Sequence, residues 1–238
     1  MPPPLGCHKP LIEWEHVLCS LEGVLFVQVG SNSGMDVHDP VWHYATRCRW
    51  HGIALEPVNS TFQRLQNNYA PFPRVQPVRA ALSNRAGAQE MVTGIGWSGE
   101  ASRFVWNARA QKWRAGRRPK ERVSTVTLED VWAMPPVAGA PRVHILIVDA
   151  EGEEGKILAG RPLPSPRPEL VLYEHKHLER GVQHRINESL HKQGYRLATS
   201  IGHGANPGDL LYARAAGPYA GGACQATGPT GPDRPIRN

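Results

Sequence analysis

Four groups of residues in this 238-residue chain could do chemistry at the edge of a sheet. Gly30 and Gly34 bracket a Gly-Ser-Asn-Ser-Gly turn directly after the apolar run Val24–Val29. Glycine in such a turn lets backbone approach a ligand closely, and a following helix offers free amides. The spacing is not the G-x-G-x-x-G dinucleotide fingerprint, and glycines kept only for steric reasons are the plain alternative. Glu56 closes a second apolar run, 26 residues after Gly30. An acid at that offset can accept hydrogen bonds from both hydroxyls of a ribose; otherwise it is a solvated surface glutamate. Asp149-Ala-Glu151-Gly-Glu153-Glu154 follows the apolar run Val143–Val148. Carboxylates this close raise one another's pKa and repel, so an unused cluster is costly. A helix N-terminus would stabilise Glu153 and Glu154 but leaves Asp149 and Glu151 unexplained. Tyr173-Glu174-His175-Lys176-His177 ends a further apolar run and offers histidines, the usual general bases near neutral pH, unless they merely sit at a strand end.

These groups need elements that bring them together. Val24–Val29, Gly52–Pro57, Val75–Leu82, Val143–Val148 and Leu170–Tyr173 read as strands, several of them nearly continuous apolar runs typical of parallel sheets. Helices are expected between them. Asp39–Trp50 has Pro40 at an early helical position. Asn59 looks like an N-cap ahead of Phe62, Leu65 and Tyr69. Thr127-Leu-Glu-Asp130 resembles a capping box, and Val182, Ile186 and Leu190 repeat every four residues before Gly194. Tyr195–Ile201 and Asp209–Arg214 read as a final pair, antiparallel because the loop between them is too short for a crossover helix. The alternation gives a doubly wound α/β fold, its sheet mostly parallel with an antiparallel C-terminal strand.

Length fits one domain. Residues 1–23 are expected to be a lead-in, 24–214 the domain, and the glycine- and proline-rich residues 215–238 a disordered tail. A net charge of +6 favours acidic partners such as phosphates or nucleic acid. No apolar run approaches the roughly 20 residues of a membrane span, so no membrane partner is expected. The start lacks the features of a signal peptide, and Cys7, Cys19, Cys48 and Cys224 lack paired spacing. Both observations predict a reducing, cytoplasmic setting without a zinc site or disulfide framework.

Taken in order, Phe-Val-Gln-Val-Gly-Ser-Asn-Ser-Gly, Ala-Leu-Glu-Pro-Val-Asn-Ser-Thr-Phe, Val-Arg-Ala-Ala-Leu-Ser, Val-Ser-Thr-Val-Thr-Leu-Glu-Asp and Ile-Val-Asp-Ala-Glu-Gly-Glu-Glu resemble the motifs of the FkbM family of S-adenosylmethionine-dependent methyltransferases. The resemblance covers about Val24 to Arg214. It implies the Rossmann-like class I methyltransferase fold and O-methylation of a sugar, polyketide or other small-molecule hydroxyl. It also implies that Gly30, Asn32 and Gly34 line the methionine part of the cofactor and that Glu56 holds the ribose. Ala81 and Leu82 would lie against adenine, and Asp149 near the methionine amino group or the acceptor. Two positions depart from the pattern: Gln28 stands where many members have an acid, and Ser33 where a large subset does. The Gln28 amide can still hydrogen-bond the cofactor or the loop.

Methyl transfer needs orientation and a base at the acceptor hydroxyl. His175 is the first expectation for that base, with Glu151 and His177 behind it. A divalent metal held by Asp149, Glu174 and a further oxygen is an alternative, not favoured. Between Arg103 and Arg122 lie eight basic residues and one acid, interleaved with Phe104, Trp106 and Trp113. This insertion, about residues 94–122, is expected to be a lid that recognises an anionic acceptor, or else a solvated basic loop. The same composition suits single-stranded nucleic acid, so a nucleic-acid-binding module on a degenerate methyltransferase fold is the rival reading.

Overall fold

Leu25–Val29 (β1) is buried at every position, as a strand covered on both faces must be. The computed structural model describes residues 23–35, 39–95, 101–104, 119–176, 178–201 and 208–219. β1 is flanked by His51–Leu55 (β2) on one side and Ile145–Val148 (β8) on the other, both parallel to it. Val75–Val78 (β3) extends the sheet beyond β2, and Leu170–Glu174 (β9) beyond β8. Asp209–Arg214 (β11) then adds antiparallel to β9, with Tyr195–Ile201 (β10) antiparallel outside it. The order is β10-β11-β9-β8-β1-β2-β3, a mostly parallel seven-stranded sheet with the reversed strand the sequence predicts.

Side chains alternate across the strands, so each strand feeds two cores. Trp42–Arg47 (α1) and Asn59–Tyr69 (α2) cover one face, where Phe26, Ile147, Leu172 and Leu211 meet Tyr44, Leu65 and Tyr69. Leu128–Trp132 (α3), Glu154–Leu158 (α4) and Arg180–Lys192 (α5) cover the other, where Val27, Val148 and Tyr173 meet Val131, Leu158 and Ile186. Each such fully buried aliphatic side chain contributes about 1.5–3 kcal/mol relative to exposure.

Thr127 forms the expected capping box with Asp130, each accepting the other's backbone amide. Asn59 is not the N-cap of α2; it is the first helical residue, and Val58 stands at the cap position without a capping side chain. Carboxylates from elsewhere serve those amides instead: Glu56 Oε1 accepts from Val58 N at 3.0 Å and Glu121 Oε1 from Asn59 N at 3.0 Å.

The span expected as one strand, Val75–Leu82, divides. Its end, Ala81–Leu82 (β4), joins a second sheet with Lys120–Val126 (β7), Gly87–Ile95 (β5) and Ala101–Phe104 (β6), in the order β4-β7-β5-β6. The insertion is therefore bordered by strands, and Gly94, expected in a loop, lies in β5. β5 and β7 were hidden because they are half-exposed and polar; β7 alternates Glu121, Val123 and Thr125 with Lys120, Arg122 and Ser124. The rest of the expected lid, the lead-in up to residue 22 and the tail from residue 220 lie outside the described residues. Tyr219, expected in the tail, packs into the core beside Leu211 and Ala213 and is 3% exposed. Cys48 is disulfide-bonded, against the expectation from cysteine spacing, and its partner lies outside the described residues. Spacing along a chain does not measure distance across a fold. No described helix is long and apolar enough to cross a membrane.

Candidate active site

The carboxyl ends of β1, β8 and β9 open into a cleft lined by Gln28, Gly30, Ser31, Asn32, Asp39, Asp149, Glu174 and Asp209, among others. In open α/β sheets this edge is where ligands bind. Asp209 reaches it because β11 runs backwards, so the strand's first residue sits at the edge where the parallel strands end; Asp209 stands opposite Glu174 in register.

The turn after β1 is built for close approach. Gly30 has φ of 75°, and a Cβ there would lie 1.9 Å from the carbonyl oxygen of Asp149. Both Gly30 N and Ser31 N donate to Leu55 O, at 3.1 and 2.9 Å, tying the turn to β2. Asn32 takes φ of 47° and thereby aims its amide at Glu56 Oε2, 3.1 Å away. Glu56 is 7% exposed, and burial pushes its carboxyl up to about 7 against the pull of those amides. Each of its oxygens keeps acceptor capacity beyond the one backbone bond.

Like Glu56, Gly34 is not among the residues that line this cleft. Its φ is 68°, and a Cβ there would meet Leu65 Cδ1 and Tyr69 Cε2 at 2.6 Å, so its bareness serves the packing of α2. Leu82 is buried in the core on the α3 side, and Ala81 packs with Met91 and Val123. Neither lines the described cleft, because β4 pairs with β7 and not with the main sheet.

The acidic turn after β8 divides in role. The Asp149 side chain is open to solvent at the floor of the cleft, yet protein surrounds it on the remaining sides. That enclosure, with Glu174, Glu151, Glu154 and Asp209 nearby, raises its pKa well above the ordinary carboxylate range. Asp209 is pushed up to about 6 by burial and by Glu174. Glu154 curls back to accept from Ala150 N at 2.7 Å and Gly152 N at 2.9 Å, and burial lifts it to about 8. Glu153 accepts from Ser83 Oγ at 3.1 Å, facing away from the cleft lining. Asp149, Glu154 and Glu174 each bring an oxygen to within 4.8 Å of the others, which makes Glu154 a candidate for the further oxygen of the metal alternative. Lys176 Nζ already stands 2.5 Å from Glu174 Oε1 and supplies a positive charge to this group.

His175 and Glu151, expected as bases, do not line the cleft. His175 follows Glu174 at the end of β9; it is 8% exposed, with both ring nitrogens unbonded. His177 lies outside the described residues. Sequence reasoning missed Asp39 and Asp209 as cleft residues. The Asp-Pro pair at a helix start and the reversed last strand were the available signals.

Residues 28–197 match the sequence family described as the Methyltransferase FkbM domain. No curated protein matches the chain. Among solved structures, fibrillarin from Methanococcus jannaschii, a pre-rRNA processing protein, is similar at 10% identity and a TM-score of 0.44, over 81% of this chain and 66% of that one. Aeropyrum pernix fibrillarin, solved with natively bound S-adenosyl-L-methionine, is similar at 13% identity and 0.42, over 80% and 65%. A human methyltransferase 10 domain containing protein is similar at 9% identity and 0.47, over 90% and 85%. The chain spans just under two thirds of the length of the two fibrillarins.

Proposed function

The chain belongs to the FkbM methyltransferase domain family, and from that premise we propose that it transfers a methyl group to a hydroxyl oxygen of a small-molecule acceptor such as a sugar or polyketide. S-adenosylmethionine is the methyl donor of the family. The described residues fit it: Glu56 offers a fixed acceptor pair, and Gln28 Oε1 is a buried acceptor without a donor. When bound, the cofactor supplies an electrophilic methyl group on a sulfonium sulfur. Glu56 would hold the ribose hydroxyls, and Gly30 and Asn32 would flank the methionine part.

The observation that carries the oxygen-acceptor reading is the group of carboxyls Asp149, Glu174 and Asp209 in the cleft lining. Hydroxyls donate to carboxylates, and a carboxylate with a raised pKa is a better proton acceptor near neutral pH. In this reading Asp149 takes the acceptor's proton, in place of His175, while Glu174 and Asp209 orient the hydroxyl. The acidic lining does not favour the anionic acceptor that the basic insertion led us to expect. The test is incubation with methyl-labelled cofactor and a panel of sugars and polyketide alcohols. Label on an oxygen of any member supports the reading. The basic, aromatic segment from Arg103 to Arg122 keeps one rival, so an RNA oligonucleotide belongs in the panel; label on RNA alone overturns the small-molecule acceptor.

A further inference from the structure

We infer that Asp39 is part of the cofactor site: it orients the amide of Gln28, and the two together receive the ammonium of the cofactor's amino-acid moiety. The inference rests on the cofactor and is independent of the acceptor.

Gln28 is 2% exposed and its Nε2 donates to Asp39 Oδ2 at 2.9 Å. An ionised carboxylate only accepts, so the amide must present its nitrogen to Asp39 and its oxygen elsewhere. That oxygen, Oε1, is buried with no donor. A buried acceptor left unpaired is costly and calls for a ligand or water to complete it. Asp39 is itself held fast. Its Oδ1 accepts from Val41 N and Trp42 N, each at 2.7 Å, across Pro40, which has no N–H to offer. With Gln28 as well, at least three donors fix this carboxylate before any ligand arrives.

Both side chains line the cleft beside Gly30, Ser31 and Asn32. They present acceptors and negative charge, so a cationic N–H donor fits here and the cofactor's own carboxylate does not. The other cleft acids serve a group at this end less well. Glu174 is engaged by Lys176, and Asp209 lies three strands away from β1, roughly 14 Å across the sheet. Asp149, on the adjacent strand, is the remaining neighbour.

The test is calorimetric titration with S-adenosylhomocysteine and with 5′-methylthioadenosine, which keeps the adenosine and thioether but lacks the amino-acid part. Asp39→Asn retains a capping acceptor for Val41 and Trp42 and removes the charge. It is expected to weaken S-adenosylhomocysteine at least about tenfold and to leave methylthioadenosine within about twofold. Gln28→Leu, which leaves Asp39 in place, is expected to give the same selective loss. The exchange Gln28→Glu with Asp39→Asn restores an amide-to-carboxylate pair with the charge moved, and recovers most of the affinity. Equal loss of both ligands would mean a structural role only and overturns the inference, as does unchanged binding of S-adenosylhomocysteine in both single variants. Wild-type protein that binds neither ligand overturns the inference and the cofactor reading together.

Discussion

The backbone amide of Asn32 donates to Glu56 Oε2 across 3.1 Å, so the turn after β1 and the carboxylate after β2 form one unit. The left-handed conformation of Asn32, at φ of 47°, is what points the amide there. Glu56→Gln keeps one acceptor and loses charge and symmetry. It is expected to weaken S-adenosylhomocysteine about tenfold or more by calorimetry, and Glu56→Ala further. Unchanged affinity in both would remove the ribose assignment.

Gly30 and Gly34 should behave differently when changed to alanine. At Gly30 the added carbon collides with the carbonyl of Asp149, 1.9 Å away, in a backbone that cannot move without parting β1 from β8. Loss of cofactor binding and about 2 kcal/mol or more of stability is expected. At Gly34 the carbon meets the ends of Leu65 and Tyr69, which can shift. A cost of about 1–2 kcal/mol in urea unfolding is expected there, with cofactor affinity largely kept.

Asp149 combines an open side chain with a raised pKa caused first by its enclosure and then by Glu174 and Glu151. As the proton acceptor it works only when ionised, so turnover should rise with pH through a value above the ordinary carboxylate range. Asp149→Asn should lower turnover about a hundredfold or more, change cofactor affinity much less, and lose that rising limb. A variant with undiminished turnover would exclude the role.

At the opposite end of the sheet, His144 Nδ1 accepts from Leu25 N at 3.0 Å and must stay neutral to do so. Burial, helped by Arg142 and His51, pushes its pKa from 6.5 down to about 4. A lowered folded-state pKa means that the unfolded chain binds the proton more readily. The stabilisation is therefore fully present above about 6.5 and is lost as pH falls through about 4. Thermal melts of wild type and His144→Gln should converge as the solution is acidified across that window; parallel curves would contradict this.

The strands could be read from the sequence because their burial is two-sided and local. Val24–Val29 and Val143–Val148 are apolar at nearly every position, and no tertiary knowledge is needed to see it. The capping box at Thr127 is equally local, since its partner is three residues away. The second sheet was not legible, because Glu90 and Lys120 sit on half-exposed strands whose partners alone make them strands.

The chain's motifs by themselves determined the family, the α/β order, and the presence of Glu56 and Asp149 at strand ends. Those are properties of residue type and spacing. Only the tertiary structure decided which side chains share the cleft. The fold places Glu174 in the cleft lining and leaves His175 out of it. Reversal of β11 brings in Asp209 from more than thirty residues beyond Glu174. The bond from Gln28 to Asp39 joins a strand to a helix start across a turn whose curvature no local pattern states. A site is a set of distances between side chains, and those distances are fixed only when the packed elements fix the backbone that carries them.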